Sequence, residues 1–120
     1  MDATISNVKV KYIRPKYKNL QEWMADSKNV YIGRARIVFI NNKRFPENDS
    51  PFCNPYKISK NKSREEVIQE FEKYIIDKIL ADEGFRYQLL ELRGKNLGCW
   101  CHPEPCHGHI LLKIINKIDT

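Results

Sequence analysis

The sequence predicts an α+β domain, or a small α/β one, with about four short strands, three main helices and a zinc-binding loop just before the C-terminal helix. Three observations predict it. Short runs in the N-terminal half alternate apolar and polar residues, the period of half-buried strands. From Ser63 onward, apolar residues recur at helical spacing behind a capping box. Finally, six cysteines and histidines crowd between Cys99 and His109, ahead of a last apolar-periodic run.

The elements follow in order. Ser6 to Ile13 sets Val8, Val10 and Tyr12 against Lys9 and Lys11, a strand ended by Pro15. Asn19 to Asp26 reads as a short helix capped by Asn19, with Leu20, Trp23 and Met24 inward. Val30-Tyr31-Ile32 is a strand, and Gly33 allows a bend. Arg36 to Ile40 is a further β-rich run. Asn41-Asn42 is a hairpin turn, because Asn tolerates positive φ, and Lys43 to Phe45 returns. Pro46 to Tyr56 is a loop by composition.

Ser63-Arg64-Glu65-Glu66 opens the clearest helix, carrying Val67, Ile68, Phe71, Tyr74, Ile75 and Ile79. Gly84 separates it from a helix over about Phe85 to Leu92, with Gly94 as a C-terminal cap. Asn96 to Gly98 leads into the cysteine cluster. The last helix, roughly Cys106 to Ile118, buries Ile110, Leu111, Ile114, Ile115 and Ile118.

The 120 residues suit a single domain over 1–120. At 42% hydrophobic and 30% charged, the composition is that of a soluble globular chain rather than a disordered or membrane one. Met1 to Thr4 open polar with no secretory pattern, and no apolar run is long enough to span a bilayer. The expected location is cytoplasmic, the host cytoplasm if the source is viral, with no membrane partner. The net charge of +6 favours polyanionic partners, nucleic acid or nucleotides. Lys outnumbers Arg two to one and Ile and Asn are abundant, a composition that an A+T-rich coding sequence would give with no binding role.

Four cysteines are present, Cys53, Cys99, Cys101 and Cys106, three of them within eight residues. In a reducing compartment such crowding points to metal or catalysis rather than disulfides. Zinc takes four thiolate or imidazole ligands in a tetrahedron. Cys99-x-Cys101 puts two thiolates on one turn, and Cys106 can fold back onto the same ion. Pro103 and Pro105 stiffen the loop between. His107, His102 or His109 could complete the set, and Cys53 could arrive from the 46–56 loop. Two readings compete with structural zinc. Cys106 at a helix N-terminus beside His107 could be a low-pKa nucleophile, or the thiols could be inert core residues.

Leu97-Gly98-Cys99-Trp100-Cys101 and Pro105-Cys106-His107-Gly108 resemble the signature of a family known as domain of unknown function 4326, small proteins of bacteria, phages and large DNA viruses. Tyr31-Ile32-Gly33-Arg34, Asn54-Pro55-Tyr56, Ser63 to Ile68 and Leu92 to Lys95 resemble its other blocks, so the likeness runs from about Tyr31 to Leu112. It implies no activity, but it does rank ligands. Cys99, Cys101, Cys106 and His107 fall at motif positions. His102 falls at a variable one, His109 stands where Asp is usual, and Cys53 stands where other residue types are common.

Arg34, Ser50, Asn54 and Arg64 form a second candidate set for binding a phosphate. Arg34 follows Gly33 at a strand end, and Arg64 lies in the first turn of the long helix, whose N-terminus attracts anions. The expected function is therefore a zinc-stabilised domain that binds nucleic acid, a nucleotide or another phosphorylated ligand. One alternative is an enzyme acting on a nucleotide or nucleobase through a metal-bound water or Cys106. The other is a protein-interaction module whose zinc only holds the fold.

Overall fold

A computed structural model describes residues 2–117 of the chain. Its centre is a three-stranded parallel sheet of β1 (Thr4–Asn7), β2 (Asn29–Tyr31) and β5 (Asn96–Cys99), in the order β1-β5-β2. Ile5 pairs with Leu97 on one side, and Val30 pairs with Leu97 on the other. A separate antiparallel hairpin joins β3 (Val38–Ile40) to β4 (Lys43–Phe45). Asn41 and Asn42 turn it at φ of 54° and 65°, the left-handed conformation expected of two asparagines in a tight hairpin. The helices are α1 (Val10–Ile13), α2 (Leu20–Ala25), α3 (Arg64–Ala81), α4 (Glu83–Leu90) and α5 (His107–Lys117). The fold is α+β.

Side chains leave the sheet alternately, so each face has its own core. Ile32, Leu97 and Cys99 pack with Phe71, Ile75, Leu89, Leu111 and Ile115 of α3, α4 and α5. Val8 and Tyr31 pack with Ile13, Leu20 and Trp23 of α1 and α2 on the other face. Gly98 makes the second core close-fitting. A Cβ there would collide with the Trp23 indole and stand 2.6 Å from Val8 Cγ1.

Three expectations need correction. Ser6 to Ile13 is not one strand. The strand ends at Asn7, whose Oδ1 accepts the Lys9 N–H at 2.9 Å, and the chain then coils into α1. Val10 and Tyr12 are exposed, so their alternation marked no core face. Asn96 to Gly98 is not a lead-in but most of the central strand, which raises the count to five strands among the described residues. Gly84 does not divide the long helices. Asp82 does, closing α3 with its N–H and capping α4 with its carboxylate on Phe85 N–H. The three main helices expected are α3, α4 and α5, the short helix at Asn19 is α2, and the single turn α1 is the addition. The Asn19 cap and the Ser63–Glu66 capping box form as expected. Ile118 lies outside the described residues.

Candidate functional site

Parallel strands deliver their C-terminal ends to one edge, where loops from different strands meet. Here β2 delivers Gly33 and Arg34, and β5 delivers Cys99, Trp100 and Cys101. The N-termini of α3 and α5 bring Arg64 and His107 to the same place. Together they line an open cavity of about 410 Å³, also lined by Asn54, Tyr56, Lys57 and Cys106.

Arg34 is a strut as well as a cation. Its Nε and Nη2 donate to Asn54 O (3.1 and 2.7 Å), and Nη2 donates also to Tyr56 O (2.8 Å). Its Nη1 makes no hydrogen bond among the described residues. Buried Asn54 accepts the Tyr56 N–H at 2.9 Å and donates to Val67 O at 3.3 Å, tying the loop to α3. Arg64 spans from α3 to the cysteine loop, donating to Pro105 O at 3.2 Å and pairing with Glu104 at 3.3 Å. Its hydrogen bond to Cys101, as donor, raises its pKa. Trp100 Nε1 donates to Tyr31 Oη (2.8 Å), and Tyr31 donates in turn to Arg34 O (2.8 Å), so the indole is fixed.

Within the cluster, Cys106 Sγ lies 3.5 Å from Cys99 Sγ, and both cysteines are unbridged. Two thiolates on one tetrahedral zinc, each about 2.3 Å from it, would stand about 3.8 Å apart, so this pair has the spacing of one edge of such a site. His107 Nε2 lies 2.8 Å from Ile32 O. A carbonyl only accepts, so Nε2 carries the proton and Nδ1 keeps its lone pair. Zinc-bound histidines are commonly oriented by such a carbonyl. Phe71 packs edge-on against the ring at 5.1 Å. His109 differs: its Nδ1 accepts the Cys106 N–H at 3.1 Å, so its Nε2 holds a proton and donates to His102 Nδ1 at 3.2 Å. These two histidines are occupied with each other and with the start of α5. Among the described residues no group of three or more His, Cys, Asp or Glu side chains converges at metal-binding distance.

The thiols are polarised in one direction. The Cys106 thiol donates to Cys99 and lowers the Cys99 pKa to about 6, aided by the His102 and Cys101 N–H groups against the opposing effect of burial. Cys106, as donor and buried, is pushed up. The sequence had offered Cys106, beside His107, as an alternative low-pKa nucleophile. Here Cys106 is held up by its hydrogen bond to Cys99 and by burial, and the His107 ring bonds to Ile32 O. Burial lowers His107 to about 4, so it is neutral.

Arg34, Asn54, Arg64, Cys99, Cys101, Cys106 and His107, two separate sets in the sequence, thus line one cavity. Ser50, Cys53, His102 and His109 do not line it. Ser50 Oγ accepts the Phe52 N–H at 3.0 Å, and its own N–H donates to Gly33 O at 3.0 Å. Both bonds shape the loop. Lys57 was missed: it is one more lysine in a polar loop, with no motif to single it out.

Fold and site define a small α+β domain with a cationic cavity walled on one side by cysteine and histidine. The chain belongs to the family described as domain of unknown function 4326, which matches residues 16–117. It is 45% identical over 56 residues to an uncharacterised 12.4 kDa protein of the nrdA-td intergenic region of Enterobacteria phage T4, covering 47% of this chain and 52% of that protein. It thus spans about half the length of that phage relative. It is 32% identical over 102 residues to uncharacterised protein R718 of Acanthamoeba polyphaga mimivirus, covering 76% of this chain and 72% of that one. No solved structure matches. Among the described residues no helix is long and apolar enough to cross a membrane.

Proposed function

We propose that this chain is a small zinc-stabilised domain that binds a nucleotide or another phosphorylated small molecule in the cavity beside the cluster. One observation carries the reading: Arg34, Arg64 and the cysteine–histidine cluster share a single cavity at the C-terminal ends of the parallel strands. Its volume of about 410 Å³ falls in the range of small-molecule sites. Arg34 Nη1, Lys57 and the N-terminus of the 18-residue α3 supply positive potential for a phosphate. Tyr56 and Trp100 supply flat surfaces for a base. A space of this volume accommodates a ligand the size of a mononucleotide.

Cys99, Cys101, Cys106 and His107 would hold the zinc. The Cys99–Cys106 spacing and the His107 tautomer support that set, and the hydrogen bonds of His109 count against it as a ligand. A zinc with four protein ligands would link the end of β5 to the start of α5, and would leave no position for reactive water.

Metal analysis and calorimetry on the purified protein test both halves. About one zinc per chain is expected, lost in Cys99→Ser. Nucleoside monophosphates should bind and unphosphorylated nucleosides should not. Arg64→Gln should weaken binding about ten- to hundredfold, the value of a charged hydrogen bond. Zinc-free protein that folds normally would sink the metal half, and failure of every phosphorylated compound to bind would sink the ligand half. The enzyme alternative has one observation in its favour. The Cys99 and Cys106 sulfurs line the same cavity as the arginines, so a bound ligand would lie against them. Turnover of a bound nucleotide, lost in Cys99→Ser, would favour it.

A further inference from the structure

Residues 9–18 carry Lys9, Lys11, Arg14, Lys16 and Lys18 and no acid, and all five cations are exposed. The β3–β4 hairpin adds Lys43 and Arg44, exposed as well. Between the two runs lies a groove of about 630 Å³, with Val10, Arg14 and Lys18 on one wall and Val38, Phe39 and Ile40 on the other. None of these cations is in a salt bridge among the described residues. The acid lining the groove is Glu22, and its carboxylate is already engaged as acceptor of the Lys18 N–H at 2.9 Å.

Two large rings are exposed beside these cations, Phe39 on the groove and Tyr12 on the other side of α1 from the groove-lining Val10. Phe39 is 65% exposed and Tyr12 56% exposed. The Arg44 guanidinium lies 4.5 Å from the Phe39 ring centre, and Lys11 Nζ lies 5.0 Å from that of Tyr12. A lone exposed aromatic is ordinary. A row of unpaired cations with aromatic rings between them is the combination that holds a single-stranded nucleic acid, with phosphates on the cations and unpaired bases on the rings.

We propose that the face formed by residues 9–18 and the β3–β4 hairpin binds single-stranded nucleic acid, with Phe39 as the stacking platform. A duplex buries its base faces and offers this ring nothing to stack on. An acidic peptide would satisfy the cations but not the ring. The proposal does not rest on the nucleotide reading of the cavity, which has a different lining. The hairpin connects the two, since Ile37 borders the cavity and Val38 borders the groove.

Fluorescence anisotropy with a labelled dodecathymidylate, titrated with salt, tests it. Binding at low salt is expected, falling steeply as salt rises. Phe39→Ala should weaken it roughly five- to hundredfold, as loss of a stacked base does. Arg14→Gln and Lys18→Gln should each reduce the slope of log affinity against log salt by about 0.7. Arg64→Gln, in the cavity, should leave oligonucleotide binding unchanged. All but Arg64 are exposed side chains, and circular dichroism checks that each variant folds. No binding at low salt would overturn the proposal. Equal affinity for duplex or for polyglutamate would overturn it too, as would a Phe39→Ala variant that binds like the parent.

Discussion

Gly108→Ala, alone and combined with Ile5→Val, tests how α5 is seated. Gly108 sits in the first turn of α5, buried against the sheet. A Cβ there would overlap Ile5 Cδ1, approach Ile32 Cδ1 to 2.9 Å and Cys106 Sγ to 3.3 Å. Carbon atoms pack at about 3.5–4.0 Å, so the helix must move or the isoleucines must leave their rotamers. Overpacking costs about 1–3 kcal/mol, and with three atoms met at once the upper half of that range, about 2–3 kcal/mol, applies. Alanine returns about 0.8–1.0 kcal/mol in helix propensity over glycine. The net expectation is a loss of about 1–2 kcal/mol. Ile5→Val alone removes the overlapping methyl and should cost about 0.5–1.5 kcal/mol.

If the steric account is right, the two losses do not add. The double variant should be no less stable than Gly108→Ala, giving a favourable coupling of about 1 kcal/mol. Urea unfolding followed by tryptophan fluorescence, at fixed zinc concentration, measures all four corners of the cycle. Additivity within about 0.5 kcal/mol would refute the contact. So would a Gly108→Ala variant as stable as the parent. The stake is the site itself, because α5 carries His107 and follows directly from Cys106.

The remaining predictions concern single groups. Burial raises the Tyr31 pKa above its ordinary value of 10.0. The folded state therefore holds this proton more tightly, and its contribution is intact below pH 10 and lost as pH rises through the folded pKa. Tyr31→Phe should remove that alkaline loss and cost about 1–3 kcal/mol at neutral pH, because Trp100 Nε1 loses its acceptor; unfolding midpoints from pH 7 to 11 decide. Ser63→Ala breaks the α3 capping box and should cost about 1 kcal/mol, read as a lower urea midpoint with unchanged slope. Ser50→Ala should leave nucleoside monophosphate affinity unchanged while costing about 1 kcal/mol of stability; a calorimetric loss of affinity would return Ser50 to the site.

Elements whose signals are local were legible in the sequence. A capping box satisfies its own N–H groups within four residues, so Ser63 and Glu66 announced α3 wherever it packs. Asn41-Asn42 announced the hairpin, since its turn depends on φ at those two residues alone. Family resemblance placed the chain in its family. The cysteine and arginine sets were also visible, each as a short motif.

The tertiary structure decided what depends on distant partners. Asn96 to Cys99 has little strand character of its own. It is the central strand because β1 and β2 bond to it on both sides and Gly98 admits the Trp23 indole. Val10 and Tyr12 alternate like a strand, but they face outward once Asn7 turns the chain. The pairing of the Cys99 and Cys106 thiols, which lowers Cys99 and raises Cys106, came from packing the end of β5 against the start of α5, which spacing along the chain does not encode. The meeting of Arg34, Arg64 and the cysteines in one cavity followed from parallel pairing, which brings separate loops to one sheet edge. The sequence alone determined which residues could do chemistry, because composition and local motifs are written in it. Only the packing of the sheet decided which of them share a site.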